Sequence, residues 1–280
     1  MAGNNARRRE RFFKEHPWCC FCGGSAQAVE IDHFPSRVLF LNRQWPEGYA
    51  FPACARCNRV TARDELLVAW LARARNREEH TEHMEEFERL FADVETNFPG
   101  VLQSMSRMTH RERRQKRELL GITLQPGQSH LDLPFLSVRD PRIQGAVLNF
   151  GRKLGLALFY KNAGRAVPKE GGVAVRWYSN IQIETDVIPR ELGSVVPNFP
   201  PLNRARQDLS DQFFYRIGIA DGQEMATFLA IFRRSFGILG FMARDISRFA
   251  VQERQSDESR QVFSPYDWDE APSSTNTESK

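Results

Sequence analysis

The chain has 280 residues, 41% of them hydrophobic, which is enough for one large globular domain or two small ones. Its 39 basic and 35 acidic residues leave a formal charge of +4, so the distribution of charge should matter more than the total. The sequence has no apolar run near the roughly 18 residues that a membrane span needs and no apolar stretch behind its Arg-rich start, so we expect no membrane partner, no secretory signal and a cytoplasmic location.

The first segment, Met1 to Pro17, is basic. The pattern predicts either the solvated start of a helix or a basic arm that lies along phosphates, and both interpretations stay open. Its basic residues are Arg7, Arg8, Arg9, Arg11 and Lys14.

Two cysteine pairs follow. Cys19-x-x-Cys22 and Cys54-x-x-Cys57 have the spacing of a tetrahedral zinc site, and 31 residues lie between them. Zinc closed by four sulfurs has no open coordination position, so we predict a structural Zn²⁺ that holds the intervening loop.

The loop between the cysteine pairs predicts two short strands. Val29 to Ile31 alternates as a strand that ends at Asp32 and His33, and Tyr49 to Ala53 forms a second strand leading into the second cysteine pair. A helix follows, with Thr61-x-x-Asp64 as its predicted capping box.

The zinc-held segment carries a candidate catalytic group. The zinc would bring Asn58, which follows Cys57, toward the strand that carries Asp32 and His33. Two oxygen donors, Asp32 and Asn58, could then bind a catalytic Mg²⁺ or Mn²⁺. The imidazole of His33 would be free to act as a general base.

The next stretch predicts a basic helical connector. Residues 78–98 carry one apolar stripe, and Ser104 to Leu120 predicts a further helix with six basic and two acidic residues. Such a run is usually a solvated face. The carboxylate, imidazole and amide oxygen of the zinc-held segment are the groups of a phosphodiester nuclease, and beside such a segment the run could follow a DNA backbone. The candidate phosphate-binding residues are Arg113, Arg114 and Arg117 here, and Arg59 and Arg63 just after Asn58.

The second half changes in character after the loop-like stretch from Pro126 to Pro141. Arg142 to Tyr160 predicts a buried helix, and strands are predicted at 173–178 and 181–188. The stretches 213–219 and 225–242 together predict two or three more strands. The last residues, 251–280, are rich in Ser, Glu, Asp and Thr and predict a disordered tail.

At the central segment the residues resemble the HNH endonuclease family in its zinc-bound form. The matching pattern is C-x-x-C-G, then Ile31-Asp32-His33 with Pro35 behind, then P-A-C-x-x-C-N ending at Asn58. The resemblance implies a ββα-metal fold in which His33 activates water while Asp32 and Asn58 ligate a single ion. One position departs from the family: Tyr49 stands where its middle Asn braces the loop beside the catalytic His.

Together these observations predict an α+β protein with an N-terminal zinc-stabilised ββα-metal (HNH) domain. The predicted units are that domain at 1–77, a basic connector at 78–125, an α+β domain at 142–250 and the tail. The predicted function is metal-dependent DNA endonuclease. Two alternatives stay open: a catalytically silent zinc-stabilised nucleic-acid-binding module, and an RNA-cleaving toxin on the same scaffold. No feature of the sequence predicts an oligomeric state.

Overall fold

The computed structural model describes residues 2–74, 83–133, 135–180, 200, 202–233, 235–249 and 260–263. Its N-terminal part is a helix followed by an antiparallel two-stranded hairpin, in which His33 lies opposite Ala50, and two helices. The elements are α1 (Ala2–Glu15), β1 (Glu30–His33), β2 (Ala50–Ala53), α2 (Ala55–Val60) and α3 (Ala62–Arg73), with short 3₁₀ turns at Arg37–Leu39 and Leu41–Arg43. The two predicted strands and the helix after them are therefore present.

The middle of the chain is helical, but the predicted helix from Ser104 to Leu120 is two helices. The elements are α4 (Met84–Asn97), α5 (Val101–Ser106), α6 (His110–Leu119) and a 3₁₀ turn at His130–Asp132. The prediction of one helix was wrong because Thr109 caps a new one: its hydroxyl accepts from the Glu112 amide while the Glu112 carboxylate accepts from the Thr109 amide.

The second half is a long helix on an antiparallel five-stranded sheet, with strand order β6–β7–β8–β3–β9. The helix is α7 (Pro141–Ala163), and the strands are β3 (Gly172–Ser179), β4 (Asn203–Arg204), β5 (Gln207–Asp208), β6 (Phe213–Ile219), β7 (Met225–Phe232), β8 (Phe236–Ala243) and β9 (Arg260–Phe263), with 3₁₀ turns at Asp221–Gln223 and Ile246–Phe249. The α+β class is confirmed. The prediction that all of 251–280 is disordered was wrong, because β9 pairs with β3. The strand predicted at 181–188 lies outside the described residues.

Helix α7 is fixed at both ends and packs closely on the sheet. The Asp140 side chain accepts from the Arg142 amide, Pro141 occupies the first turn, and Gly164 ends the helix with φ 70°. Gly151 allows the close approach, since a Cβ there would lie 2.6 Å from Cγ1 of Val175.

The two halves share one hydrophobic core. A continuous cluster of buried residues runs from Cys19 to Met242, and the other face of α7 packs against α3. Tyr49, buried just before β2, donates its hydroxyl to that of Tyr215 in the sheet at 2.9 Å. The predicted boundary near 126–141 therefore separates stretches of sequence but not two cores.

Within the described residues, none of the helices has the length and apolar content needed to cross a membrane.

Candidate zinc centre and active site

The four paired cysteines come together as the sequence predicted. The sulfur atoms of Cys19, Cys22, Cys54 and Cys57 all lie within 4.8 Å of one another. Four sulfurs on a tetrahedral zinc stand roughly 3.8 Å apart, given a Zn–S distance of about 2.3 Å. The donor set and its size fit a structural zinc ion that joins the start of the hairpin to α2.

The thiols also show why this cluster favours a cation. Hydrogen bonds to the sulfurs of Cys19 and Cys22 raise the pKa of the Cys57 thiol, whereas hydrogen bonds from Cys19 and Cys57 lower the pKa of Cys22 to about 2. Without a cation the sulfurs share protons because four neighbouring negative charges repel. A bound Zn²⁺ replaces those protons and stabilises all four thiolates.

Strand β1 sends its two candidate catalytic side chains in opposite directions. Successive side chains of a strand point to opposite faces. Accordingly Asp32 is buried against α7, whereas His33 is half-buried and faces the loop that carries Trp45.

The Asp32 carboxylate is paired with a buried lysine. Lys153 of α7 is fully buried, and its Nζ lies 2.7 Å from Oδ2 of Asp32, 2.9 Å from Oε1 of Glu65 and 2.8 Å from the Thr61 hydroxyl. That hydroxyl donates to Glu65 and does not cap α3, so the predicted capping box was wrong. Although burial alone would lower it, the carboxylates of Glu65 and Asp32 raise the pKa of Lys153, which keeps the ammonium charged.

Asn58 likewise has a partner of its own. Its amide nitrogen donates to the Glu30 carboxylate, whose other oxygen lies 3.7 Å from Arg59. This bond uses the amide nitrogen of Asn58 and not the oxygen that would bind an ion, so it is the Asp32 carboxylate that disfavours the predicted ion site. The charge of Asp32 is already compensated, and the ammonium of Lys153 repels a second cation at that carboxylate.

His33 lies in a cluster of guanidinium and indole groups. Its Nε2 lies 3.2 Å from Nη2 of Arg37, and its ring meets the Trp45 ring edge-on with centroids 4.8 Å apart. A guanidinium has only donors, so Nε2 accepts and the neutral ring carries its proton on Nδ1. Burial, with Arg37 and Arg204 nearby, lowers the pKa of His33 below its ordinary value of 6.5. The imidazole is thus neutral at physiological pH, as a general base requires.

The Tyr49 position does not disturb this cluster. Its side chain points into the shared core, with Lys161 4.4 Å from the ring. Its backbone carbonyl accepts from the amide of Phe34, the residue after His33, at 3.2 Å. The backbone just before β2 therefore braces the chain beside His33 without an Asn side chain.

The predicted phosphate-binding arginines make local contacts. Arg113 donates to the Leu133 carbonyl, and Arg114 forms an exposed ion pair with Glu118 at 2.8 Å, with Arg117 3.4 Å from the same carboxylate. Around the zinc centre, Arg59 pairs with Glu30, and Arg63 donates to the Asn97 carbonyl. These contacts account for part of the basic surface, and a role in phosphate binding stays a prediction.

Sequence reasoning missed four residues of the site: Arg37, Trp45, Lys153 and Arg204. Lys153 had a signal, since a lysine inside an otherwise apolar helix needs a buried partner. Arg37 stands one turn after His33, but Arg204 carried no local signal at all.

A second cleft is lined by other residues. It has a volume of about 800 Å³ and is bounded by α3, α4 and the loop before β2, with Arg43, Arg73, His83 and Glu86 in its walls. Two of its arginines pair with carboxylates of the same wall, Arg73 with Glu86 at 3.3 Å and Arg89 with Glu85 at 3.9 Å.

No family model matches the chain, and neither a curated protein nor a solved structure matches it.

Proposed function

We propose that the protein is an endonuclease that hydrolyses phosphodiester bonds of DNA, with His33 as the general base. The observation that carries the proposal is the hydrogen bond from Arg37 to Nε2 of His33. It pairs a neutral base with an exposed guanidinium, the side chain best suited to bind a phosphate. The zinc-held hairpin keeps this pair in place.

In this proposal each group has a defined role. Arg37 releases Nε2 to bind a nonbridging oxygen of the scissile phosphate, which brings the phosphorus beside the imidazole. His33 takes a proton from water through Nε2 as the water oxygen bonds to phosphorus. The 3′ oxygen leaves and is protonated by solvent, giving a 5′ phosphate and a 3′ hydroxyl. Arg37 stabilises the charge that builds on the phosphorane oxygens.

Mg²⁺ or Mn²⁺ at Asp32 and Asn58 has no part in this sequence of steps. Binding there would require Lys153 to leave the Asp32 carboxylate. The proposal assigns the charge stabilisation to guanidinium groups and the structural role to Zn²⁺ alone.

The same pairing of Lys153 with Asp32 favours RNA as a second candidate substrate. RNA supplies its own nucleophile, the 2′ hydroxyl, so cleavage needs no metal-activated water. His33 would accept the 2′ proton while the bond from phosphorus to the 5′ oxygen breaks. The products would be a 2′,3′-cyclic phosphate and a 5′ hydroxyl protonated by solvent.

The test is conversion of supercoiled plasmid to nicked or linear DNA by wild type and by His33→Ala of equal zinc content. Loss of the base should lower the rate by about 10²- to 10⁴-fold. His83→Ala, a histidine away from the cluster, is the matched control. Cutting by His33→Ala at the wild-type rate would overturn the proposal. A wild type that binds DNA but cuts neither DNA nor RNA would indicate the silent binding module.

A further inference from the structure

A short hairpin from the second half of the chain docks beside the histidine cluster. Its base is fixed in the core, because Leu202 and Leu209 are buried and joined by a backbone hydrogen bond of 2.8 Å. Its tip is tied to the loop before β2: Glu47 donates its amide to the Asn203 carbonyl at 2.9 Å and accepts from the Ala205 amide through Oε1 at 3.0 Å. The hairpin β4–β5 is therefore held at both ends.

This hairpin places Arg204 on the indole of Trp45. The guanidinium carbon of Arg204 lies 4.2 Å from the ring centroid, and that of Arg37 lies 3.7 Å from it. A guanidinium stacked on an aromatic ring keeps its in-plane N–H donors available. Trp45 thus orients two arginines from distant parts of the chain beside His33.

The two guanidiniums lack an ion-pair partner among the residues that the structure describes, and the nearby Glu47 carboxylate accepts from the Ala205 amide instead. Neither Arg37 nor Arg204 forms an ion pair there, although both contact one ring. Both guanidinium carbons lie within 4.2 Å of one ring centroid, so the two like charges repel, and an anion bound near both relieves that repulsion. The fork of N–H donors matches the oxygens of a phosphate, which indicates a phosphorylated ligand.

We propose that Arg204, stacked on Trp45, binds the phosphate next to the scissile one in a nucleic-acid strand. The inference rests on the proposed function, since it takes the phosphate at Arg37 and His33 as the one that is attacked. It also gives the second half of the chain a direct role in binding, because that half supplies a substrate-binding residue to a site built on the zinc-held hairpin.

The first test measures binding of short single-stranded DNA and RNA in a His33→Ala background, where no cleavage interferes. Arg204→Ala should weaken binding about tenfold or more, because a charge-assisted hydrogen bond is lost. It should also reduce the slope of log K against log salt by about 0.7, the value for one phosphate of a single strand. Arg206→Ala, in the same hairpin, should leave both quantities unchanged. The affinity and the salt slope of Arg204→Lys should lie between those of wild type and Arg204→Ala, because lysine keeps the charge but lacks the planar set of N–H donors that stacks on Trp45.

The second test compares cleavage of a dinucleotide, which has one phosphodiester, with cleavage of a trinucleotide. Arg204→Ala should raise KM for the trinucleotide and leave the dinucleotide unaffected. Equal losses on both substrates would overturn the inference, because they would mean a general structural defect. The inference would also be overturned if Arg204→Ala had the same binding affinity and the same KM as Arg206→Ala. If wild type cleaves nothing while Arg204→Ala still binds more weakly with a reduced salt slope, the proposed function fails and the phosphate site stands.

Discussion

The ammonium of Lys153 lies 2.7 Å from the Asp32 carboxylate and joins the long helix of the second half to the strand that carries His33. The ion pair is buried, with Lys153 fully inaccessible and Asp32 at 7% exposure. Glu65 and Thr61 complete the ammonium's hydrogen bonds. The Asp32 carboxylate, which the sequence predicted as a metal ligand, is thus half of a buried ion pair that ties the two halves of the chain together.

This tie predicts a large asymmetry between two substitutions. Lys153→Ala leaves two buried carboxylates without a counter-charge and should lower the free energy of unfolding by about 3–5 kcal/mol. Asp32→Asn should cost much less at neutral pH, because Glu65 still pairs with the ammonium. Burial raises the pKa of Asp32 above 3.8, so the folded protein holds this proton more tightly than the unfolded chain does. The contribution of Asp32 to the free energy of unfolding therefore falls as pH rises from 3.8 through the pKa of the folded state. Denaturant unfolding measures both, with Lys169→Ala, an exposed lysine, as control. A Lys153→Ala cost no greater than that of Lys169→Ala would show that the pair does not hold the halves together.

Divalent ions should have little effect on cleavage. Protein freed of Mg²⁺ and Mn²⁺, with its zinc content checked by elemental analysis, should cut at close to the rate seen with Mg²⁺ added. A stimulation of roughly a thousandfold, equivalent to the several kcal/mol that a Lewis acid supplies, would contradict this. Abolition of that stimulation by Asp32→Ala would then assign Asp32 to the ion, with Lys153 displaced.

The pH dependence of kcat/KM should report the state of His33. The base acts when neutral, so activity should be full above its pKa and should fall as pH drops through it, with the acid limb below 6.5. Arg37→Ala removes a positive neighbour and should move this limb upward toward 6.5, whatever it does to the maximal rate. If the acid limb of Arg37→Ala stays in place or moves to lower pH, the group that titrates in the profile is not His33.

Zinc should be present at about one ion per chain. Cys57→Ala should lower the zinc content and the thermal midpoint together, since metal binding stabilises the folded hairpin. The matched control is Cys20→Ala, because Cys20 is buried beside the cluster and is not one of its four sulfurs. Retention of a full zinc equivalent by Cys57→Ala, or its loss in Cys20→Ala, would reassign the ligands.

The sequence by itself determined the four-cysteine cluster, the hairpin and helix beside it, and most helices and strands of the second half. These are local properties: a C-x-x-C turn, a capping residue or an alternating strand depends on residues a few positions apart. The helix predicted from Ser104 to Leu120 had a wrong start because Thr109 caps a separate helix inside that stretch.

Only the tertiary structure decided what faces Asp32 and His33. The strand sends the two side chains to opposite faces, and the groups they meet, Lys153 on one side and Arg204 on the other, come from the distant second half. Nothing in the spacing of residues along the chain specifies such partners, because they are selected by how α7 and the β4–β5 hairpin pack onto the zinc-held segment. Burial then decides the chemistry: it turns a predicted metal ligand into half of an ion pair and leaves the histidine neutral beside two arginines.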